Sequence, residues 1–325
     1  MLGAAVVGAE SVPLGLTPGL ASRVELADGR RAFLKAAGVH RSASAVEKLR
    51  REARVMAALP PEAPTPRLLG CYDDGRWAAV ASTDVAGRPP SVPWTSAELE
   101  RVLAAVADCA AATTPAPFPG PRFVTDWAAD LTGWRELARR HFAATGAGSR
   151  SAADGAGSRS AASGAGSRSA ADDLRAVLPA DLSDRVIDDL DRLARLEAGW
   201  SVRADGDTLL HGDLRADNIL LTGERVWFVD WPSASVGAAW LDLLFLLPGI
   251  AAATPGFDPQ EVVLTHPLTR DVDPATLTAM LTAIAGFLAT VSLEPPPWYA
   301  PEVRSFQRAE AAAAVCWLYR RLPRS

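Results

Sequence analysis

Lysine is nearly absent from this chain, because only two of its 33 Lys and Arg residues are lysines. The basic residues form no dominant cluster, and 38 acidic residues bring the net charge to −5. Proteins that bind nucleic acid concentrate positive charge in a patch or stripe. We therefore expect no nucleic-acid partner. Mild acidity is compatible with a cationic small molecule but does not require one.

Cysteine is also scarce. The three cysteines, Cys71, Cys109 and Cys316, are widely separated in the sequence and lack any metal-ligand spacing. We expect them to be buried free thiols in a reducing compartment.

Two apolar segments, at 1–7 and 240–250, are short. Residues 1–7 are apolar but lack the basic residues and the length of a signal peptide. The run at 240–250 is too short to span a bilayer and contains Asp242. These features predict a cytoplasmic protein that does not associate with membranes.

The most informative segment is LLHGDLRADNILLTGERVWFVD, residues 209–230. Its His-Gly-Asp triplet ends at Asp213, Asn218 follows five positions later, and Asp230 closes an apolar run. An aspartate that can accept a hydroxyl proton, with an asparagine and a second aspartate that can hold Mg²⁺, are the parts of a phosphoryl-transfer site. Each of these residues alone is equally typical of a turn. The prediction therefore depends on their joint spacing.

The residues between Asn218 and Asp230 predict a β-hairpin. Two short apolar runs, 219–221 and 226–229, flank a Thr-Gly turn signal. Such a hairpin places Asn218 and Asp230 at its open end, where both can offer the oxygen ligands that Mg²⁺ prefers. Asp213 would then lie within reach of the transferred phosphoryl group.

HGDLRADNILL followed by VDWP resembles the catalytic and metal-binding segments of the aminoglycoside phosphotransferase family, the small-molecule branch of the protein-kinase-like fold. The family pattern, HGDxxxxN followed by Asp-Trp, matches at His211, Gly212, Asp213, Asn218, Asp230 and Trp231. Arg215 stands where many members have a second histidine, a position that we do not expect to do chemistry. The resemblance extends from about residue 15 to 242. It implies an α+β, two-lobed fold, with an N-terminal β-sheet lobe that carries one main helix and a mostly helical C-terminal lobe.

The N-terminal lobe can be traced by pattern. An Asp28-Gly29 turn signal joins two alternating runs, and we expect Lys35 to end the second strand. The resemblance implies that Lys35 contacts the α- and β-phosphates of the nucleotide. Gly15 and Gly19, which precede the first of these strands, are expected to let backbone amides approach the phosphates.

Residues 44–59 predict an amphipathic helix that ends at a Pro-Pro pair. In the kinase-like fold, a glutamate on this helix pairs with the strand lysine. Glu52 matches that position, and Glu47 is the alternative.

The remaining site residues follow from the resemblance. Residues 82–87 resemble the hinge between the lobes, where backbone groups bind the nucleotide base, so ATP and GTP both remain open. Asp242 matches an aspartate that braces the catalytic loop. We expect structural roles for Asp242 and His211.

A nonapeptide of the form GAGSRSAAD is repeated three times at 146–172. It has no large apolar residues that could offset the entropy of ordering, so we expect a flexible insertion. The predicted organisation is a nucleotide-binding lobe at 1–84 and a catalytic and substrate lobe at 85–325. In the second lobe, helices are predicted at 95–113, 275–291 and 303–322, and another with Ser183 as its cap.

These features predict an Mg²⁺-dependent kinase that moves the γ-phosphoryl group of ATP or GTP to a hydroxyl of a small molecule. An aminoglycoside or another antibiotic is one acceptor class, and choline, another amino alcohol or a sugar is equally allowed. A regulatory, nucleotide-binding pseudokinase is the alternative from another class, although no base or metal ligand is missing. A protein kinase is disfavoured, because residues 230–242 are too few for a long activation loop. Protein partners and oligomeric state are left open.

Overall fold

A computed structural model describes residues 1–12, 18–145, 168–297 and 300–323. The chain divides into two compact units. The first comprises Met1–Asp126, Arg203–Val272 and Pro296–Pro301, and the second comprises Trp127–Val202, Asp273–Pro295 and Glu302–Ser325. Both predicted lobes contribute residues to the first unit, and the lobe boundary at residue 84 stays a prediction. Helices and strands are numbered along the chain.

An antiparallel five-stranded sheet forms the N-terminal part of the first unit. Its strands, in the spatial order β1-β2-β3-β5-β4, are β1 (Val6–Ser11), β2 (Leu20–Leu26), β3 (Arg31–Gly38), β4 (Leu68–Asp73) and β5 (Trp77–Thr83). The turn predicted between β2 and β3 is present, and its Gly29 has the positive φ of 82° that such tight turns require. Lys35 does not end the strand as expected. It pairs with Ala21 and Val80 in the interior of β3, which continues to Gly38.

Helix α1 (Ala43–Ala58) packs on this sheet. Ser42 caps its first turn by accepting a hydrogen bond of 3.1 Å from the amide of Ala45. The helix and the strands β3 and β5 share one buried apolar cluster, formed by Ala37, Ala45, Val46, Leu49, Met56, Ala78 and Val80. This packing fixes the rotation of α1 and thereby the direction in which Glu52 points.

The rest of the first unit combines helices with short strand pairs. The helices are α2 (Ser96–Ala112), α3 (Phe123–Asp126), α8 (Leu241–Ala253) and α9 (Pro259–Thr265). The strands are β6 (Thr208–Leu210), β7 (Ile219–Leu221), β8 (Val226–Phe228) and β9 (Ser235–Gly237). Antiparallel pairs form between β6 and β9 and between β7 and β8. The second pair is the hairpin predicted between Asn218 and Asp230.

The second unit contains six helices among its described residues. They are α4 (Gly133–Thr145), α5 (Ala170–Val177), α6 (Ala180–Asp188), α7 (Leu190–Glu197), α10 (Pro274–Val291) and α11 (Val303–Arg321). By length and composition alone, α10 could cross a membrane. More than half of that helix is buried inside the protein, which is also typical of a core helix.

Three expectations are corrected here. Ser183 lies inside α6, where its hydroxyl donates to the carbonyl of Ala180, because that helix begins earlier, directly after Pro179. The end of the third repeat is ordered, since Ser169 caps α5 and residues 170–172 are helical. Residues 146–167 of the repeat lie outside the described residues. Cys109 is buried, but Cys71 and Cys316 are exposed.

Candidate active site

The first unit contains a cavity of about 370 Å³ that collects the predicted site residues. Its lining comes from β2 and β3, from one side of α1, from the segment after β5 and from residues 213–233. We call it the Lys35 cavity. The charged side chains that line it are Arg23, Lys35, Lys48, Glu52, Asp84, Asp213, Arg215, Asp217 and Asp230.

Lys35 lies between two carboxylates. Its Nζ atom is 2.7 Å from Oε1 of Glu52 and 2.7 Å from Oδ1 of Asp230. Burial disfavours the ammonium form of Lys35, but the two carboxylates outweigh this effect and raise its pKa. Lys35 is therefore a fixed cation at neutral pH. Glu47, the alternative partner, is exposed and contacts Arg50 and Arg54 instead.

Asp230 has a backbone conformation that residues other than glycine rarely adopt. Its φ is 70°, and it is the one residue other than glycine with a positive φ in the described part of the chain. This region is unfavourable for residues with a Cβ atom and is often found at functional sites. Burial alone would raise the pKa of Asp230, but the charge and hydrogen bond of Lys35 hold that pKa below its ordinary value. The carboxylate is thus ionised where it faces the Lys35 cavity.

The loop between β6 and β7 is held by a buried network. Asp242 accepts hydrogen bonds from the amides of His211 and Gly212, at 2.7 and 2.9 Å. The ring of His211 accepts from the amide of Asp213 at Nδ1, and its Nε2 donates to the carbonyl of Val229. These contacts link Asp213 to the strand segment that precedes Asp230.

Gly212 is required by the shape of this loop. It has a φ of 76°, and a Cβ atom at this position would overlap the carbonyl oxygen of Ser233. Only glycine combines the left-handed conformation with so close an approach of two backbone segments. The His-Gly-Asp triplet is therefore a tight turn that presents Asp213 to the cavity.

Asn218 and Asp230 offer oxygen atoms to the same cavity. The Nδ2 atom of Asn218 donates to the backbone carbonyl of Asp213 at 2.8 Å, so Oδ1 is the end of the amide that is available to an ion. The amide of Val229 donates to the carbonyl of Asn218 and joins the two segments. One amide oxygen and one ionised carboxylate form a donor set that suits Mg²⁺, which usually binds few protein ligands beside phosphate oxygens and water.

Arg215 lies beside Asp213. It forms a two-point ion pair with Asp217, at 3.1 and 2.6 Å, and its Nη1 atom is 3.8 Å from Oδ1 of Asp213. The side chain of Asp213 is 39 % exposed, but the protein around it still removes enough water for burial to raise its pKa. Arg215 opposes this shift. The pKa of Asp213 therefore depends on the balance between burial and Arg215.

Residues after β5 close the other end of the cavity. Asp84 is almost completely buried and binds Arg23 of β2 and Arg31 of β3, at 3.0 and 3.1 Å. Farther along, Arg88 and Leu221 exchange backbone hydrogen bonds of 3.1 and 2.7 Å. The segment predicted as the hinge is thus attached to the sheet through Asp84, and the residue that follows it, Arg88, is attached to the β7–β8 hairpin.

The structure brings all the predicted site residues of the first unit together. Lys35, Glu52, Asp213, Asn218 and Asp230 line one cavity, and His211 and Asp242 support the loop that carries Asp213. Gly19 also lines the cavity, whereas Gly15 lies outside the described residues.

Sequence reasoning assigned no site role to five charged residues of the cavity lining, which are Arg23, Lys48, Asp84, Arg215 and Asp217. One signal was available for Lys48. It precedes Glu52 by four positions, so both side chains lie on the same side of a helix.

The chain matches the model of the phosphotransferase enzyme family over residues 19–266. A comparison with curated proteins found no match.

Solved structures of similar fold cover nearly the whole chain. A thermostable mutant of aminoglycoside phosphotransferase APH(4)-Ia, in a ternary complex with ADP and hygromycin B, is 14% identical and has a TM-score of 0.57. That alignment covers 99% of this chain and 96% of the other. Spectinomycin phosphotransferase APH(9)-Ia, in complex with ADP and spectinomycin, is 13% identical with a TM-score of 0.56, over 98% and 95% of the two chains. Amicoumacin kinase, in complex with AMP-PNP and Ca²⁺, is 12% identical with a TM-score of 0.50, over 93% and 87%.

These structures confirm the α+β, protein-kinase-like fold. The family model spans most of the chain, and the matched region includes the predicted site residues. The chain therefore belongs to the phosphotransferase enzyme family and is a small-molecule kinase of that family.

Proposed function

We propose that this enzyme transfers the γ-phosphoryl group of ATP to a hydroxyl group of an aminoglycoside or related antibiotic. The observation that carries the phosphoryl-transfer part is the arrangement around the Lys35 cavity. A partly buried, ion-paired lysine, an aspartate of raised pKa and two oxygen ligands for a cation line a single space. This is the set of groups that phosphoryl transfer requires.

Each residue has a distinct part in the proposed reaction. Asp213 orients the acceptor hydroxyl and accepts its proton as the oxygen attacks the γ-phosphorus. Lys35 contacts the phosphates, and Glu52 holds Lys35 in position. No covalent enzyme intermediate is needed, because positioning and electrostatic stabilisation supply most of the rate enhancement in such reactions.

Asn218 and Asp230 are the residues that would hold Mg²⁺. When bound, the ion neutralises charge on the phosphate oxygens. Lys35 occupies one oxygen of Asp230, which leaves Oδ2 of that carboxylate for the ion.

The acceptor class is supported by the structures of similar fold. Two of them hold hygromycin B and spectinomycin, and their complexes contain ADP. These antibiotics carry several hydroxyl groups, as the proposed reaction needs. The nucleotides in those complexes are adenine nucleotides, which favours ATP over GTP as the co-substrate.

The test is acceptor-dependent release of ADP from MgATP, measured over a panel of aminoglycosides, other antibiotics, choline, amino alcohols and sugars. We expect turnover with at least one antibiotic and phosphorylation of that compound by mass spectrometry. The variant Asp213→Asn should keep nucleotide binding but lose roughly 10²- to 10⁴-fold in kcat, the usual contribution of a general base. Asp207→Asn is the matched control, because that carboxylate is 84% exposed and does not line the cavity.

The panel also separates the alternatives. Turnover with choline, an amino alcohol or a sugar, and with no antibiotic, would replace the proposed acceptor class. Binding of nucleotide without phosphorylation of any compound would favour a regulatory pseudokinase. If calorimetry detects no MgATP binding, the proposed function is wrong.

A further inference from the structure

Both lysines of this chain line the Lys35 cavity. Lys35 and Lys48 are the only lysines in the sequence, and the other 31 of its 33 basic residues are arginines. The two side chains differ chemically. An ammonium group is a compact point charge with three freely rotating donors, whereas guanidinium is a wide planar fork. A lysine in this arginine-rich chain therefore marks a place where a compact cation fits the cavity.

Lys48 belongs to the cavity-facing side of α1. Lys48, Glu52 and Met56 follow one another at intervals of four residues and all line the cavity. Residues with this spacing lie above one another on a helix, about 6 Å apart along its axis. Since Glu52 binds Lys35 directly, Lys48 lies one turn from that ion pair, toward the N-terminal end of α1.

Lys48 differs from the other cations of the cavity. Arg23 binds Asp84, Lys35 binds two carboxylates, and Arg215 binds Asp217. Lys48 is exposed and makes no hydrogen bond or ion pair with any residue that the structure describes. Its charge is nevertheless among those that lower the pKa of Asp230.

The charges of Lys35 and its two partners do not offset the negative charge of a bound nucleotide. Glu52 and Asp230 bring two negative charges to the single positive charge of Lys35. Lys35 can thus orient the phosphates, but its field is cancelled by its own partners. A triphosphate is still anionic after it has bound one Mg²⁺, and a further cation beside Asp230 would lower the cost of bringing that complex into the cavity.

We propose, building on the kinase activity proposed above, that Lys48 is a nucleotide-binding residue whose ammonium group contacts the terminal phosphates of ATP. Lys35 orients the phosphates from the sheet, and Lys48 approaches them from α1. The contact requires the β-phosphate or γ-phosphate, and a nucleoside monophosphate is too short to make it.

The scarcity of lysine allows a direct test by amine acylation of the full chain. An N-hydroxysuccinimide acetate reagent should label the exposed Lys48 and the α-amino group of Met1, with mass spectrometry of the peptides as the readout. With saturating Mg²⁺ and AMP-PNP, we expect labelling of Lys48 to fall by at least about fivefold, while Met1 is labelled as before. AMP and adenosine should give little protection, and ADP an intermediate degree.

Nucleotide binding is measured in parallel by calorimetry on the same preparation. If AMP-PNP binds and Lys48 is labelled at its original rate, Lys48 does not contact the phosphates, and the proposed activity is unaffected. Equal protection by adenosine would also overturn the proposal, because burial by the nucleoside would then explain it. If AMP-PNP does not bind, both proposals fail together.

Substitutions give a second, independent measurement. Lys48→Ala should raise the Kd of AMP-PNP by about 10- to 150-fold, the range for one hydrogen bond to a charged group, and leave the Kd of adenosine unchanged. Lys48→Arg should recover part of the loss because it keeps the charge. Arg54→Ala removes the same charge from α1 at an exposed position outside the cavity, and it should have no effect. Equal losses in Lys48→Ala and Arg54→Ala would reduce the role of Lys48 to general electrostatics.

Discussion

The ammonium group of Lys35 lies 2.7 Å from the carboxylate of Asp230, a residue 195 positions away in the sequence. The contact joins the interior of the N-terminal sheet to the segment that carries the proposed metal ligands. The same ammonium binds Glu52 on α1. Three separate elements thus meet at one nitrogen atom.

Glu52→Gln should disrupt this junction. Without the Glu52 charge, the ammonium of Lys35 is drawn to Asp230 and competes with the cation for that carboxylate. We expect kcat/KM for ATP to fall by about 10- to 100-fold, the scale on which small misplacements of reacting groups act. Steady-state kinetics at saturating acceptor measure this loss. Glu47→Gln on the same helix is the matched control, because Glu47 is exposed and pairs with Arg50 and Arg54. A larger loss in Glu47→Gln would show that the pairing described here is not the functional one.

Arg215→Gln should change the pH dependence of the reaction. Burial raises the pKa of Asp213, and the positive charge of Arg215 holds that pKa down. Only the ionised carboxylate can accept the hydroxyl proton, so activity is lost as pH falls through this pKa. In the variant, the acid limb of the kcat/KM profile for the acceptor should therefore lie at higher pH than in the wild-type enzyme.

The control for this profile is Arg76→Gln, which removes an exposed arginine that does not line the Lys35 cavity. Its acid limb should coincide with that of the wild type. An unchanged or lower acid limb in Arg215→Gln would mean that Asp213 is not the group that titrates.

Gly212→Ala should destabilise the protein. The φ of 76° at this position is unfavourable for alanine, and the added Cβ atom overlaps the carbonyl oxygen of Ser233. The loop that carries Asp213 must therefore shift. We expect the free energy of unfolding to drop by about 1–3 kcal/mol, the usual cost of a strained backbone position, with loss of activity. Urea denaturation measures the change. Gly223→Ala in the turn of the β7–β8 hairpin is the comparison, because a Cβ atom there meets open space; similar losses in both variants would contradict the steric explanation.

Arg51→Ala should loosen α1. The Nη2 atom of Arg51 donates to Asp126 and to the carbonyl of Ala234, both at 2.7 Å, and so ties the helix to the chain that follows Asp230. Loss of these charge-assisted bonds should let Glu52, the next residue along the helix, shift. We expect kcat to fall by about 10- to 100-fold, the scale for small misplacements of reacting groups, and the KM of ATP to rise.

Arg54→Ala again provides the reference, since it removes a charge from the same helix without removing a contact to Asp126 or Ala234. Arg51→Lys should recover part of the activity, because the lysine ammonium keeps the positive charge and can donate to one of the two partners, Asp126 or the carbonyl of Ala234. If Arg51→Ala reduces thermal stability and leaves both kinetic constants unchanged, the contact supports the fold and has no effect on the position of Glu52.

The sequence predicted well those parts of the site that depend on local geometry. The spacing of Asp213, Asn218 and Asp230 indicates a tight turn and a short hairpin. Both were predictable because they form between residues close in sequence. Lys35 was predicted as a site residue even though its place in the strand was wrong. The alternation of apolar residues defines a strand more reliably than it defines the strand's last residue.

Long-range contacts were harder to anticipate. Asp84 follows β5, whereas its partners Arg23 and Arg31 lie on two other strands, so their meeting depends on the sheet order. Arg215 appeared as a departure from a family pattern, and only the geometry shows that it approaches Asp213. Ser183 failed as a cap because a residue typical of caps also occurs within helices, where its hydroxyl donates to a nearby carbonyl.

The attachments on either side of the predicted hinge restrict the backbone that can bend there. Asp84 is held to the sheet by Arg23 and Arg31, and Arg88 is paired with Leu221 of the β7–β8 hairpin. If residues 82–87 are the hinge that the resemblance predicts, any opening of the proposed nucleotide cleft is accommodated by the dihedral angles of residues 85–87. A nucleotide base that binds the backbone of residues 85–87 would restrict the dihedral angles of the same residues. Nucleotide binding would therefore also restrict the opening motion. We expect slower amide exchange at Ala86 and Gly87 when nucleotide is bound.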